Sequence, residues 1–164
     1  MTVPVLLGAL VSPLYSETPL AADAKADSIL VLKSKREMQL LHDGKVLKTY
    51  KISLGGVPVG AKERQGDHKT PEGIYTIIGR NAGSKFHRSL RVSYPNAQDR
   101  SRAAKLGIAP GGDIFIHGLP NGQGWVGRGH LLRDWTDGCI AVTDQEIEEI
   151  WRVVPNGARV EIRP

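Results

Sequence analysis

The sequence predicts a mainly β domain, a compact β sandwich or barrel carrying one or two short helices. Three observations predict it. Apolar runs of strand length recur along the chain, and turn signals separate them. Glycine and proline are abundant, 19 and 10 in 164 residues, as a turn-rich domain requires. Aromatic residues are only 5%, and the best helical period is confined to one segment near the C-terminus.

A chain of this length favours one domain, and at this size roughly two-thirds of the unfolded surface can be buried. Residues 1–27 have no clear period and read as a leader or disordered tail; residues 28–164 read as the folded domain. Residues 3–14 are apolar and Ala22-Asp23-Ala24 resembles a small-residue cleavage site, but no Lys or Arg precedes the apolar run. The run is too short to span a bilayer, so stable membrane insertion is not expected. This pattern leans towards export.

Strand signals come first. Residues 28–33 read as a strand, and residues 37–42 and 45–53 are joined by Asp43-Gly44, a strong two-residue hairpin signal. Residues 55–60 are glycine-rich loop and residues 62–69 a charged loop. Residues 73–80 and 89–94 are strands, the latter with Leu90, Val92 and Tyr94 on one face. Asn96 can cap a short helix to about Lys105, which Gly107 would end. Residues 113–117 form another strand, and residues 119–133, with four glycines, read as loop. Thr143 and Glu146 make a capping box for a helix over 143–153, with Val142 and Ile147 as its staple. Ile147, Ile150, Trp151 and Val154 repeat on one stripe. Residues 158–163 close the domain as a strand.

Net charge is +5 and the sequence pI about 9.5. A basic surface suits an anionic polymer, membrane or nucleic acid. Lysines and arginines are scattered, however, and no nucleic-acid motif accompanies them, so nucleic-acid binding is not expected. The single cysteine excludes an intrachain disulfide and a CxxC metal or redox pair. No compact histidine spacing for zinc is present, and no metal or cofactor is expected.

A lone cysteine is by itself more often an inert, buried small hydrophobe than a nucleophile. The setting of Cys139 points the other way. Gly138 before it permits a sharp turn, and successive N–H groups of such a turn can converge on an oxyanion. A nucleophilic thiol needs a base. Of the five histidines, His117 ends an apolar strand and precedes Gly118, whose carbonyl can fix its tautomer. His130 lies in the loop ahead of the cysteine as a second group near the site or the substrate. A neighbouring imidazolium is expected to lower the thiol pKa below its free value of about 8.5.

Ile116-His117-Gly118, a glycine-rich loop, then Thr136-Asp137-Gly138-Cys139-Ile140 together resemble the signature of the L,D-transpeptidase catalytic domain (YkuD-type) family. Residues 69–75 resemble its Thr-Pro-x-Gly-x-Phe/Tyr segment, Ser53-Leu54-Gly55 the strand before it, and residues 155–160 its last turn and strand. The resemblance covers residues 28–163. It implies that fold, no cofactor, an exported envelope or periplasmic enzyme, peptidoglycan stem peptides as substrate, and a monomer. Cys139 would be the nucleophile, His117 the base then acid, and Gly118 the orienting carbonyl. Amides of Asp137, Gly138 and Cys139 would bind the oxyanion. The reaction would release D-Ala from a tetrapeptide stem, and a second stem's diaminopimelate amine would resolve the thioester into a 3→3 cross-link. Family members of this kind are typically acylated by carbapenems. Carboxypeptidase action, or attachment or release of a wall lipoprotein, uses the same site; a non-catalytic wall-binding domain is the competitor from another class.

The sequence departs from the pattern in places. Asp137 stands where histidine is usual, Ala141 where arginine is frequent and Asp144 where asparagine is frequent. The loop from His117 to Thr136 is slightly long. Trp125, Arg128, His130 and Arg133 on it, with Thr136, are the expected substrate contacts, Arg128 or Arg133 supplying the missing cation.

Overall fold

The structure, a computed structural model, describes residues 17–164. Its strands are β1 (Ser28–Leu32), β2 (Glu37–His42), β3 (Lys45–Lys51), β4 (Gly73–Ser84), β5 (His87–Val92), β6 (Ile114–His117), β7 (Ile140–Ala141) and β8 (Arg159–Arg163). Two α-helices, α1 (Ala97–Leu106) and α2 (Asp144–Val153), and a 3-10 segment (Gly124–Leu132) complete it.

The strands form one mixed sheet in the order β3-β2-β1-β8-β4-β5-β6-β7. β1 runs parallel to β8 and β6 to β7; the other neighbours are antiparallel. Beyond the end of β3, Ser53 exchanges both backbone hydrogen bonds with Ala141 of β7, at 3.0 and 2.9 Å. This bridge joins the two edges of the sheet and closes it as a small barrel, the mainly β architecture expected. Closure also removes exposed edges at that end of the sheet.

Alternation explains which faces are inside. Ile29 and Val31, Met38 and Leu40, Tyr75 and Ile77, Leu90 and Val92, Ile114 and Ile116, and Val160 and Ile162 are all buried at period two. α2 adds Ile147, Ile150 and Val153 to the same core. The Asp43-Gly44 hairpin has positive φ at both positions (48° and 74°), the primed turn its sequence predicts. Both helices carry full capping boxes, Asn96 with Asp99 and Thr143 with Glu146, and α1 ends on Gly107 in the left-handed region.

Three differences from the sequence reading have physical causes. β4 runs to Ser84 and β5 begins at His87, because the backbone ladder continues through irregular pairings after Ile77 where side chains no longer alternate. The 119–133 loop contains the 3-10 segment, broken at Gly127, and such short turns leave no helical period to read. Residues 20–26, assigned to the leader, are strapped along α2. There Leu20 N–H donates to Glu149 at 2.7 Å, and Arg152 donates to the carbonyls of Leu20, Ala21 and Ala22. Ala26 N–H reaches the Val153 carbonyl at 2.9 Å. The apolar run over 3–14 lies outside the described residues. Among the described residues no helix is long and apolar enough to cross a membrane.

Candidate active site

β6 and β7 bring the candidate pair together. Ile116 is registered with Ile140 and His117 with Ala141, so one more step sets Phe115 beside Cys139. Ile116 and Ile140 point into the core. Cys139 directly precedes β7, so the pairing sets it beside β6, two residues before His117 in that strand. A weak hydrogen bond fits this register: the Phe115 N–H points at Cys139 Sγ, 3.4 Å away.

His117 is almost fully buried. Its Nδ1 lies 2.7 Å from the Gly118 carbonyl oxygen. A carbonyl only accepts, so Nδ1 carries the proton and the neutral ring leaves Nε2 as its basic nitrogen. Phe86 stacks obliquely on the ring at 4.4 Å and Trp135 meets it edge-on at 5.8 Å. Burial lowers the His117 pKa, and the Gly118 bond offsets only part of that.

Burial likewise raises the Cys139 thiol pKa, against a smaller lowering by the Phe115 amide; Asp137 adds to the rise and Lys62 opposes it. Both shifts run against the imidazolium-assisted thiolate expected from the sequence. Both directions favour the uncharged thiol and the uncharged imidazole, because an enclosed site penalises both charged forms.

The turn before the cysteine is held from within. Thr136 Oγ1 donates to the Cys139 carbonyl at 2.7 Å and accepts the Gly138 N–H at 3.1 Å. Thr136 is buried, so its hydroxyl shapes the turn rather than facing substrate as expected. The Gly138 amide is engaged too, which leaves the amides of Cys139 and Asp137 as the turn's remaining oxyanion donors. Gly138 has φ +136°, and a Cβ there would lie 2.6 Å from the Lys69 carbonyl oxygen. Asp137 is exposed and pairs with His68 Nδ1 at 3.0 Å.

The loop behind this turn is rigidly built. Lys62 pairs with Asp67 at 2.8 Å, with both side chains buried. Burial would raise the Asp67 carboxyl, but the Lys62 ammonium and the amides of Glu63, Arg64 and Lys69 together hold it down at about 2. Lys33 binds Glu72 and the carbonyls of Gly60 and Thr70.

After His117 the chain is tied down by Asp144, the first residue of α2, whose Oδ1 accepts the Leu119 N–H at 2.8 Å. A Cβ on Gly118 would sit 2.7 Å from that oxygen and 3.0 Å from the Ile147 side chain, so the residue after His117 has little room for anything but glycine. Ala141, where the family pattern frequently has arginine, is fully buried in the barrel-closing bridge.

The expected substrate contacts on the loop separate. His130 and Arg133 line a cavity of about 430 Å³ with Leu119, Val126, Leu132 and Trp135. Arg128 faces a different groove, beside Trp151 and Glu148. Trp125 is 84% exposed. Two residues that flank the candidate base, Phe86 and Trp135, were missed in the sequence. Trp135 directly precedes the Thr-x-Gly-Cys turn and could have been found there; Phe86 comes from the β4–β5 turn, with no sequence signal of proximity.

Comparison with known proteins agrees with this geometry. A model of the YkuD family, the L,D-transpeptidase catalytic domain, matches residues 26–162. YafK of Escherichia coli (strain K12), provisionally named an L,D-transpeptidase, is 30% identical over 143 residues, which are 83% of this chain and 50% of YafK. YqjB of Bacillus subtilis (strain 168), with the same provisional name, is 24% identical over 93% of this chain and 80% of its own length. Among solved structures, the helical cell shape determining protein Pgp2 from Campylobacter jejuni superposes with a TM-score of 0.64 at 28% identity. That match covers 86% of this chain and 48% of Pgp2. The chain therefore spans about half the length of YafK and of Pgp2. Taken with the strand-end histidine and the Thr-x-Gly-Cys turn, the match over residues 26–162 means that the chain belongs to the L,D-transpeptidase catalytic domain family.

Proposed function

We propose that this domain is a cysteine-dependent peptidoglycan L,D-transpeptidase of the cell envelope, with Cys139 as nucleophile and His117 as base. The placement of Cys139 directly before β7, its sulfur beside the Phe115 amide of the strand that ends in His117 and its carbonyl held by the Thr136 turn, carries the reading. Relatives support the substrate class: YafK bears an L,D-transpeptidase name, and Pgp2 determines helical cell shape.

The chemistry follows from the neutral pair. Nε2 of His117 takes the thiol proton as Sγ attacks the carbonyl between the L-centre of diaminopimelate and terminal D-Ala. The amides of Cys139 and Asp137 hold the tetrahedral oxyanion. Collapse breaks the C–N bond, His117 returns the proton to the leaving D-Ala amine, and a thioester remains. A diaminopimelate amine of a second stem attacks it, with His117 again as base, and gives the 3→3 cross-link while regenerating the thiol. The cavity beside His130, Trp135 and Arg133 is the proposed seat of stem-peptide groups, and Arg133 supplies a cation for a carboxylate.

Incubation with a carbapenem, followed by intact mass, tests the nucleophile. A single adduct is expected on the wild type and none on Cys139→Ala; no adduct on folded wild type sinks the reading. Incubation with disaccharide-tetrapeptide then separates the reactions. A cross-linked dimer supports transfer, whereas trimmed tripeptide alone makes the domain an L,D-carboxypeptidase.

A further inference from the structure

We propose that Trp135 and His130 are positioning residues for the base, with the Trp135 indole fixing the plane of the His117 ring and His130 fixing the indole. This rests on the base role given to His117 above.

The Gly118 carbonyl holds Nδ1 of the His117 ring at 2.7 Å, and a single hydrogen bond leaves the ring room to tilt about that anchor. Two aromatic groups restrict that tilt: Phe86 on one face at 4.4 Å and Trp135 edge-on at 5.8 Å. Phe86 and Trp135 are themselves 6.2 Å apart, so the three rings form one cluster. Phe86 is tied by backbone, since its carbonyl accepts the Gly118 N–H at 3.1 Å. Trp135 is tied by a side chain. Its indole N–H donates to His130 Nδ1 at 3.4 Å, and Ser53 Oγ donates to the His130 carbonyl at 3.0 Å.

A second observation bears on why a histidine stands at position 130. Nδ1 of His130 meets two polar neighbours, Ser53 Oγ at 3.2 Å and the Trp135 indole, which only donates and so uses Nδ1 as its acceptor. Nε2 of His130 is buried and has no hydrogen-bond partner among the described residues. Leaving a buried polar atom unpartnered costs more than the weak indole bond returns. A smaller apolar residue would avoid that cost. What it could not do is accept the indole N–H that faces the base. Because His130 lies in the 3-10 segment over the site, the same bond links the seating of that segment to the alignment of His117.

The test uses Trp135→Ala, Trp135→Phe, His130→Ala and His130→Gln. Carbapenem acylation of Cys139 is followed by intact mass across about pH 5 to 9, with thermal melting as a check on folding. Trp135→Ala should slow the limiting acylation rate by at least about tenfold, over and above any change in half-saturating concentration from its place in the cavity wall, because alignment of the base is lost. Its acid limb should move to higher pH, since opening the pocket relieves the burial that lowers the His117 pKa. Trp135→Phe keeps a ring edge and should recover most of the rate. His130→Gln keeps an acceptor for the indole and should outperform His130→Ala. Folded Trp135→Ala with the wild-type limiting rate and acid limb overturns the proposal, as does a loss confined to half-saturation. If wild type takes no adduct, the enzymatic reading fails by itself. The positioning claim is then decided by NMR titration of the His117 ring, where Trp135→Ala must raise its pKa and an unchanged value refutes the claim.

Discussion

Thr136 and Cys139 are joined by a 2.7 Å hydrogen bond from the threonine hydroxyl to the cysteine carbonyl, and the same hydroxyl accepts the Gly138 amide. One buried side chain thus sets the direction in which the Cys139 amide and thiol leave the turn. Thr136→Val keeps the shape and deletes both bonds. At about 0.5–1.5 kcal/mol per bond, with an extra cost for the stranded Gly138 amide, a loss of about 1–3 kcal/mol is expected by denaturant titration. Carbapenem acylation should slow in parallel, and Thr136→Ser should behave nearly as wild type. A Val variant with unaltered stability and acylation would remove the turn-shaping role.

Gly138→Ala meets two obstacles at once. The backbone sits at φ +136°, and the new Cβ would fall 2.6 Å from the Lys69 carbonyl oxygen, a backbone atom that cannot step aside cheaply. Destabilisation of at least about 2 kcal/mol is expected, measured as a lowered melting temperature. Native stability in this variant would mean that the turn relaxes freely.

Alkylation of Cys139 by iodoacetamide reports on the resting charge state. Burial raises the thiol pKa and lowers that of His117, so thiolate is scarce at neutral pH. The rate should keep climbing through about pH 8.5, the free-thiol value, with no plateau below it. A plateau near neutrality would instead identify a thiolate–imidazolium pair.

Acid should destabilise the fold through its buried histidines. Burial first, then the nearby His117 and Arg128, brings the His130 pKa down to about 4, and burial lowers His117 in the same direction. The unfolded chain binds these protons near its ordinary value of about 6.5. Each group's contribution is therefore complete above about pH 6.5 and is lost as pH falls through the folded pKa. Chemical denaturation at stepped pH should show stability falling between about pH 6.5 and 4, with a shallower fall in His130→Gln. Equal slopes in the two proteins would count against the burial of a neutral His130.

Much of the fold was legible because it is written in local chemistry. The Asp43-Gly44 turn, the caps of Asn96 and Thr143 and the α2 stripe each depend on residues within one turn of each other, and each formed as expected. His117 and Cys139 were legible for a related reason: a strand-end histidine and a glycine turn are local, and their order resembles a family signature. The aromatic walls of His117 were not, because Phe86 and Trp135 lie 49 residues apart and meet only when β5, β6 and β7 pair.

By itself, then, the sequence determined the strand alternation, the capped helices and the identity of the candidate thiol and base. Tertiary structure decided the rest: the barrel closed at Ser53 and Ala141, the Gly138 amide taken by Thr136, and the sign of both pKa shifts. The physical reason is burial. A charge state depends on how much water the whole fold removes, and no local pattern around Cys139 or His117 carries that quantity.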